Sequence, residues 1–483
     1  MNVGSSALKL LASRSASSFL FFLGITLFAR RLPPDEFGVF FLYLATVGVM
    51  TILADFGTCG ALEKRLSEGG PRADILGSAL AFKAGLLAVL VGGILLAGPV
   101  INAYAGTDIA LFLAVGLPAT EFARFYVHAV RGELRVGLTA PIQFARRVIW
   151  IGVGFVLVRA GYGVDGIIVG LICGRFVEGL LAFWQSDTSA GSPSVEAVRS
   201  LFSFSKYQTV LSVGGRFYQW MDTLIIGFFL PNLFVSSYEL AWQVTLLVLL
   251  VSKSLELTLF PAISSLHADA KLERIRATVT KAFGYAMVVS IPAIVGAALY
   301  AEEILRFVFG PAYAFAGVVL VVLMVEKAFQ SFNDVTIAAL RGIDSPELPA
   351  KATVLSIAVN LVLSPLLILN VGFVGVAIGT TTAWLMNGLL QFRYLRRHVD
   401  VVFPARLFGW YWVGALLMGV ALLALETNFP VTGLASLIVH VGVGTLVYFS
   451  ALSFVPRVRR DILGPGLHAI VPAATTPSSS NRE

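Results

Sequence analysis

The chain has 483 residues, of which 57% are hydrophobic and only 13% are charged. Soluble domains carry about 25% charged residues, so this composition excludes a string of soluble globular domains. The net charge of +7 would suit a nucleic-acid-binding protein if the chain were soluble. In so apolar a chain it is better explained by Lys and Arg gathered on the cytoplasmic side of a membrane, and we expect no nucleic acid partner.

Apolar runs follow one another along almost the whole chain. The first of them has basic residues ahead of it, as a signal peptide has, but no small-residue cleavage site follows and more apolar runs come at once, so we interpret it as a membrane span. A bilayer core about 30 Å thick needs about 20 apolar residues per helix. Windows of that length predict about fourteen spans, namely Ser15–Ala29, Phe37–Phe56, Ile75–Leu96, Ile109–Val130, Pro141–Val158, Val164–Phe183, Tyr207–Phe229, Val235–Phe260, Phe283–Leu299, Phe315–Leu340, Thr353–Leu369, Val374–Leu390, Phe408–Leu425 and Gly433–Leu452.

A polar stretch divides the first twelve spans into two series of six. The predicted organisation is an N-terminal lobe over residues 1–185, a cytoplasmic linker over 186–206, a C-terminal lobe over 207–398, two additional helices within 399–456 and a tail over 457–483. The tail is rich in Ser, Thr and Pro, so we expect it to be disordered.

The distribution of basic residues predicts the orientation. With the N-terminus in the cytoplasm, most of the 35 Lys and Arg residues fall in cytoplasmic segments, whereas Arg30, Arg31, Arg159 and Arg306 fall in outer loops. This predicts a multi-pass protein of the cell (inner or plasma) membrane with both termini in the cytoplasm. The outer loops are too short to hold a catalytic domain.

The two series of six spans resemble each other. A register of 198 residues aligns LPPDEFGVFFL from Leu32 with LPNLFVSSYEL from Leu230. A second register aligns four glycines of the sixth span with four of the twelfth, Gly163, Gly166, Gly170 and Gly179 with Gly372, Gly375, Gly379 and Gly388. Because six is even, both copies enter the membrane in the same direction, which predicts two parallel six-helix lobes around a central cleft, as in alternating-access transporters.

Charged residues inside the spans are candidates for function, because each costs about 2.5–3.5 kcal/mol to insert. The buried cations are Lys83, Arg124, Arg175, Arg216, Lys253 and Lys327. An acid lies three residues from three of them, in the pairs Glu121–Arg124, Arg175–Glu178 and Lys253–Glu256. That spacing places both groups on one helix face, so these pairs are either self-neutralised structural features or part of a binding site.

Arg216 is the strongest candidate for a cation that faces a polar cavity. It lies near the middle of the seventh span, and its nearest acid, Asp222, is six residues away and off its helix face. Lys83 also lacks a nearby acid, but its position close to the inner interface allows it to extend its ammonium group to water. Glu326 and Lys327 are adjacent in sequence, so we expect each to pair across helices.

Asp55 and Asp334 are the candidates for ion coupling, with helix capping or pairing near the interface as the alternative. With only two cysteines, Cys59 and Cys173, the chain has no disulfide framework and no cysteine-based metal cluster. It has no GxxxxGK[ST], HExxH, CxxC or GxSxG motif. We therefore expect no cofactor, no metal site and no enzymatic activity.

Several segments resemble a known family. WMDTLIIGFFLPNLFVSSYELAWQV resembles the seventh-to-eighth-helix region of polysaccharide exporters, and the segments that begin LFPAISSLHAD, ILRFVFGPAYAF and NVGFVGVAIG continue the resemblance. LFARRLPPDEFGVFFLYL with ILADFGTCGAL is similar to the first two helices of that group. From about residue 15 to 395, the chain resembles the Wzx-type oligosaccharide flippase branch of the multidrug/oligosaccharidyl-lipid/polysaccharide exporter superfamily.

The resemblance implies a cleft lined by helices 1, 2, 7 and 8 and a substrate that is a polyprenyl-(di)phosphate-linked oligosaccharide, moved from the inner to the outer leaflet. It implies membrane lipids and glycan-assembly enzymes as partners and a monomeric transport unit. Since Arg and Lys pair strongly with phosphate, the expected substrate-binding residues are Arg216, Lys253, Lys83, Arg175, Lys327, Arg14 and Arg30.

Three other functions remain open from the sequence. An ion-coupled multidrug exporter of the same fold would have a cavity dominated by acids, whereas we expect a basic cavity here. A membrane glycosyltransferase would need a large outer loop with acids or histidines. A non-transporting scaffold would not depend on Arg216.

Overall fold

The computed structural model describes residues 17–69, 72–194, 199 and 218–459. These residues form helices joined by short turns, and no strand occurs among them. In chain order the helices are α1 (Ser17–Ala29), α2 (Pro34–Asp55), α3 (Thr58–Ser67), α4 (Arg72–Leu96), α5 (Gly98–Ala105), α6 (Ala110–Gly132), α7 (Thr139–Arg159), α8 (Gly163–Gln185), α9 (218–229), α10 (Asn232–Thr245), α11 (Leu249–Ala268), α12 (Leu272–Val308), α13 (Gly317–Gly342), α14 (Glu347–Val371), α15 (Phe373–Val399), α16 (Ala405–Asn428), α17 (Leu434–Ser453) and α18 (Pro456–Val458).

Twelve helical segments in the described part of the chain are long and apolar enough to cross a membrane. The chain is therefore an all-α multi-pass membrane protein, as the composition predicts. The first and seventh predicted spans coincide with α1 and α9, whose described parts are shorter than a bilayer crossing and adjoin undescribed residues. The total of fourteen spans thus stays a prediction.

Helix α12 is much longer than the predicted span Phe283–Leu299. It has 37 residues, which at 1.5 Å per residue is about 55 Å and exceeds the bilayer core. The prediction was too short because the first turns of α12 contain Glu273 and Arg274 and fall outside any apolar window. Near its other end the backbone at Tyr300 is not helical (φ −129°, ψ 18°), so the helix is kinked there.

Local sequence explains where α2 begins and ends. Pro34 stands in the first turn, where no backbone donor is needed, and Asp35 and Glu36 match the positive end of the helix dipole. At the other end Phe56 and Gly57 adopt left-handed conformations, with φ of 41° and 74°. This turn ends α2 directly after Asp55 and starts α3.

The chain divides into two compact units. Unit 1 comprises Met1–Leu240 and Ser364–Val376, and unit 2 comprises Ala241–Leu363 and Ala377–Glu483. In unit 2, the helices α16 and α17 pack on α12, where Tyr411 donates a hydrogen bond to the carbonyl of Gly284 (3.2 Å) and Tyr448 to that of Val288 (2.9 Å). Both tyrosines are buried.

In unit 1, the first part of the predicted linker packs against the end of α6 and the start of α4. Glu133, just after α6, accepts hydrogen bonds from Ser186 (2.8 Å) and from the backbone N–H groups of Asp187 (3.1 Å) and Thr188 (3.0 Å). Further along, the N–H of Gly191 donates to the carbonyl of Ala73 (2.8 Å), at the start of α4. The segment 186–194 therefore ties α4 and α6 together at one end of unit 1.

The starts of α2 and α10 meet elsewhere in unit 1. The carboxylate of Asp35 accepts the N–H of Leu233 (2.9 Å), and Ser236 donates to the carbonyl of Pro34 (2.8 Å). A Cβ atom at Gly38 would come within 2.0 Å of the carbonyl oxygen of Asn232, so only glycine allows this approach. Asp35 and Leu233 are 198 residues apart, and the contact thus joins positions that the predicted repeat makes equivalent.

Candidate functional site

Four charged side chains from α2, α4 and α6 form a buried group that we call the balanced cluster: Asp55, Lys83, Glu121 and Arg124. The ammonium group of Lys83 lies 2.5 Å from Glu121 and 3.4 Å from Asp55. The guanidinium of Arg124 lies 2.6 Å from Glu121 and 2.9 Å from Asp55. Two cations therefore share two carboxylates, and the formal charges cancel.

The turn after α2 positions Asp55 for this role. Its Oδ1 accepts the N–H of Cys59 (3.0 Å) and the hydroxyl of Thr58 (3.3 Å), which are donors in the first turn of α3. The carboxylate thus caps α3 and neutralises cations from α4 and α6 at the same time. Lys83 is 2% exposed, so the expectation that it extends to water is wrong; its partners come from two other helices.

A metal ion has no room in this group. Ligand atoms of Asp55, Cys59 and Glu121 lie within 4.8 Å of one another, but the ammonium of Lys83 is 3.4 Å from the sulfur of Cys59 and contacts both carboxylates. The lysine occupies the position that a cation would take.

A second group on α7 and α8, which we call the arginine cluster, has Arg146, Arg147, Arg175 and Glu178. Glu178 Oε2 lies 3.2 Å from Nη1 of Arg146 and 2.9 Å from Nη1 of Arg175. The guanidinium of Arg147 instead stacks over the ring of Phe21, 4.2 Å from its centroid. Three cations thus face one carboxylate, which leaves a formal excess of two positive charges.

Close packing of α7 on α8 brings these side chains together. A Cβ atom at Gly174 would lie 2.7 Å from the carbonyl of Arg146, and one at Gly170 would lie 2.7 Å from the backbone of Gly154. The Nε atoms of Arg146 and Arg147 are buried and have no hydrogen-bond partner among the described residues. Buried donors without partners cost free energy, so this group is suited to hold an anion.

Unit 2 has two further groups of charges. Lys253 lies 3.1 Å from Glu256 and 2.8 Å from Asp334, which also accepts a hydrogen bond from Ser252 (3.0 Å). Asp334 is buried, whereas the side chain of Lys253 is 49% exposed. The ion pair between α11 and α13 therefore has one side open.

The second group in unit 2 contains Glu326 and Lys327. They are neighbours in sequence, yet their charged ends meet at 2.6 Å; the expected pairing across helices stays a prediction. Lys327 also donates to Gln330 (3.1 Å) and stacks over the ring of Trp242 (5.2 Å). Long, flexible side chains can bend toward each other even from adjacent positions.

Comparisons with known proteins assign the family. Residues 27–316 match the model of the family described as "Polysaccharide biosynthesis protein". The chain belongs to this family. It is similar over 448 residues, at 37% identity, to the probable low-salt glycan biosynthesis flippase Agl15 of Haloferax volcanii, covering 93% of this chain and 95% of the relative. It is 30% identical over 446 residues to the probable flippase AglR of the same organism, covering 90% and 92%.

Solved structures agree on the fold. This polysaccharide biosynthesis protein is similar to the lipid II flippase MurJ in an inward closed conformation, with a TM-score of 0.80, 15% identity and coverage of 93% of this chain and 98% of the other. It is less similar to an inward-facing multidrug resistance MATE transporter of the MOP superfamily, with a TM-score of 0.65, 16% identity and coverage of 79% and 95%. The family resemblance predicted from the sequence is confirmed.

The residues predicted for the site of this polysaccharide biosynthesis protein fall into separate groups. Arg175 lies in the arginine cluster, Lys83 in the balanced cluster, and Lys253 and Lys327 in the two groups of unit 2. Arg14 and Arg216 lie outside the described residues.

Arg30 lies in the exposed turn that follows α1 and not within a helix. The helix ends there because α2 begins only a few residues later, after two prolines. Its guanidinium therefore lies at the end of unit 1 where α2 begins.

Arg146 and Arg147 were missed as candidates. Their position near the start of a predicted span groups them with the cytoplasmic charges, but α7 begins at Thr139, and they lie about two turns, or roughly 10 Å, inside it. The signal was present in the sequence: two adjacent arginines in an otherwise apolar helix with no acid of their own helix to neutralise them.

Proposed function

We propose that this protein is a flippase that moves a polyprenyl-(di)phosphate-linked oligosaccharide from the cytoplasmic to the outer leaflet of the cell membrane by alternating access. Both termini are then cytoplasmic, and the product serves surface polysaccharide or glycan assembly. The names of the two relatives, each a probable flippase, support this class of function. The observation that carries the proposal is the excess of positive charge in the arginine cluster.

An anionic substrate accounts for that excess. A guanidinium surplus inside a membrane protein is costly because water is not available to solvate it. Phosphate oxygens accept the N–H groups of arginine in charge-assisted, often bidentate, hydrogen bonds. A phosphate or diphosphate headgroup would therefore neutralise the two surplus charges and satisfy the Nε atoms of Arg146 and Arg147.

The other candidate residues take different roles in this proposal. Lys83 holds α2, α4 and α6 together, since both of its carboxylate partners are already shared with Arg124. Lys253, half exposed, is a second phosphate contact, and Lys327, Arg216, Arg14 and Arg30 remain candidates along the path. Asp55 and Asp334 would couple an ion only if their lysine partners were displaced.

A cation exporter is the rival function, because the fold is also similar to that of MATE transporters. A site for an organic cation needs a carboxylate that is free to receive it. In the described residues Asp55, Glu121 and Asp334 each contact a Lys or Arg of this chain, and the buried Asp222 and Glu239 accept hydrogen bonds from Tyr238 and Thr223. The charge pattern therefore favours an anion.

The proposed partners are the lipid-linked oligosaccharide, membrane lipids and the enzymes that assemble the glycan, with a monomer as the transport unit. Transport itself requires no bond to be made or broken. We accordingly propose no catalytic residue.

The test is flipping in proteoliposomes that contain a short lipid-linked oligosaccharide, read as the exposure of its sugar to a glycosidase that cannot cross the membrane. We expect Arg147→Gln to slow flipping about tenfold or more, since hydrogen bonds to charged groups contribute about 1.5–3 kcal/mol. Arg159→Gln is the matched control: Arg159 also lies on α7 over a phenylalanine ring, Phe155 (5.6 Å), but it is exposed.

Two results would contradict different parts of the proposal. Equal flipping by the Arg147→Gln and Arg159→Gln variants would remove the arginine cluster from the substrate path. Failure of the unaltered protein to move the lipid-linked oligosaccharide, together with export of a lipophilic cation, would show that the rival function is correct.

A further inference from the structure

A basic pocket lies along the last turns of α15 in unit 2. Its volume is about 380 Å³, and the described residues that line it are Leu389, Phe392, Arg393, Arg396 and Arg397. Their spacing of three and four residues places all five on one face of the helix. The volume falls in the range of small-ligand sites, about 300–1,000 Å³.

The order of these residues along α15 makes the pocket amphiphilic. Helix α15 has 27 residues, which is about 40 Å and matches a bilayer with its headgroup regions. The three arginines lie within about 9 Å of the helix end, at headgroup depth, and Leu389 and Phe392 lie deeper. Phe392 is held in place by the rings of Phe332 (5.5 Å) and Phe283 (6.1 Å).

The arginines of the pocket have no counter-charge among the described residues. All three are exposed, and no carboxylate forms an ion pair with any of them in the part of the chain that the structure describes. Like charges at these spacings destabilise a helix. Basic residues in a last turn compensate the helix dipole, but Arg393 lies almost two turns before the end.

We propose that this pocket binds a lipid phosphate, with the phosphate on Arg393, Arg396 and Arg397 and the apolar chain along Leu389 and Phe392. Two lipids have this chemistry, an anionic phospholipid of the surrounding leaflet and a polyprenyl phosphate. This inference rests on the proposed function only if the lipid in the pocket is the polyprenyl phosphate and that lipid is the transport substrate. Basic side chains next to a membrane helix are the usual receptors for such headgroups.

Native mass spectrometry of the full chain in detergent tests the site with four probes: dioleoyl phosphatidic acid, a polyprenyl monophosphate, and the uncharged dioleoylglycerol and polyprenol. We expect the phosphate-bearing probes to bind more tightly than the uncharged ones. The triple variant Arg393→Gln/Arg396→Gln/Arg397→Gln should weaken their binding by about a hundredfold, since three basic residues at about 1 kcal/mol each make about 3 kcal/mol and every 1.4 kcal/mol is tenfold.

A matched control removes the same charge elsewhere. Lys271, Arg274 and Lys351 are exposed cations near the ends of α12 and α14 that we predict to face the same side of the membrane. Their triple change to glutamine should leave binding within about twofold of the unaltered chain. The variant Arg393→Lys/Arg396→Lys/Arg397→Lys should bind with intermediate affinity, because lysine keeps the charge but not the bidentate geometry.

The two sources give different results. Weakened binding of phosphatidic acid alone assigns the pocket to a membrane phospholipid, and weakened binding of polyprenyl phosphate alone assigns it to the carrier lipid; either supports the site. Equal loss in the pocket and control variants, or no preference for phosphate over uncharged probes, would overturn it. Neither of those outcomes affects the flipping test on Arg147, so failure of this inference is distinguishable from failure of the proposed function.

Discussion

Two groups of charges inside the membrane-spanning helices of unit 1 differ in how they are neutralised. In the balanced cluster, Lys83 and Arg124 share Asp55 and Glu121, and each carboxylate contacts both cations. In the arginine cluster Glu178 is the one carboxylate that the described residues provide for three guanidinium groups. Both groups join neighbouring helices, but only the first satisfies its own charges.

The difference separates what a buried charge does for the fold from what it does for a ligand. A balanced set of ion pairs can be replaced by apolar residues with little loss, whereas the removal of one partner leaves an uncompensated charge that destabilises strongly. A surplus of buried positive charge, in contrast, stabilises helix packing less than apolar residues at the same positions would. We therefore infer that the balanced cluster stabilises helix packing and that the arginine cluster serves an anion.

The largest expected effect is that of Glu121→Ala. The change leaves the fully buried Lys83 with only Asp55, which it then shares with Arg124, and should destabilise unit 1 by about 3–5 kcal/mol. The measurement is thermal unfolding of the purified protein in detergent, together with the amount of protein found in the membrane.

A double variant tests whether the balanced cluster contributes to stability alone or also to transport. Lys83→Met with Glu121→Leu removes one cation and one anion and keeps the pair of Arg124 with Asp55. We expect stability and flipping to return close to those of the unaltered protein. If stability returned while flipping stayed low, the balanced cluster would have a part in transport and the distinction between the two groups would fail.

Glu178→Gln should have a smaller effect on stability and a distinct response to ligand. The change leaves three guanidinium groups without a carboxylate, but the side chains of Arg146 and Arg175 are less buried than Lys83, at 12% and 27% against 3% exposed, so we expect a loss of about 1–3 kcal/mol, less than for a fully buried pair. A polyprenyl phosphate in excess should raise the unfolding temperature of this variant more than that of the unaltered protein, because the phosphate replaces the lost counter-charge.

The same addition should not restore Glu121→Ala, whose lysine is buried among α2, α4 and α6. Equal responses of the two variants to polyprenyl phosphate would mean that the lipid acts on the detergent micelle and not on the arginine cluster. Polyprenol, which lacks the phosphate, is the probe for that control.

Pairs within one helix were predictable from spacing, and pairs between helices were not. Glu121 with Arg124, Arg175 with Glu178 and Lys253 with Glu256 are confirmed at 2.6, 2.9 and 3.1 Å. A spacing of three residues is a local property of a helix, so no tertiary information is needed.

The partners of Lys83 depend on tertiary packing. Asp55 and Glu121 lie on other helices, 28 and 38 positions away in the chain, and only the packing of α2, α4 and α6 brings them to the lysine. The apolar windows likewise identified the spans but not where α12 begins, since polar residues in a first turn do not stop a helix. Arg146 and Arg147 lie inside the predicted span Pro141–Val158, and they are absent from the predicted site because they are assigned to the cytoplasmic segment that precedes it.

The smallest effect on stability is expected for Glu133, a carboxylate outside the spans. It is a reference for the balanced cluster and the arginine cluster. Burial opposes the ionisation of Glu133, but its hydrogen bonds from Ser186, Asp187 and Thr188 outweigh burial and lower the pKa of its carboxyl group. Since the pKa is lower in the folded state, the ionised group stabilises the fold above its unfolded value of about 4.3, and this contribution is lost as pH falls through the folded value.

We expect Glu133→Gln to lower stability by about 1 kcal/mol or less at pH 7, because this site is reached by water. Thermal unfolding in detergent at a series of pH values should show the difference between the variant and the unaltered protein disappearing in acid. A loss at pH 7 as large as that of Glu121→Ala would mean that water does not moderate the cost of removing a carboxylate at this end of unit 1. The loss of stability in Glu121→Ala could then not be attributed to the burial of the balanced cluster.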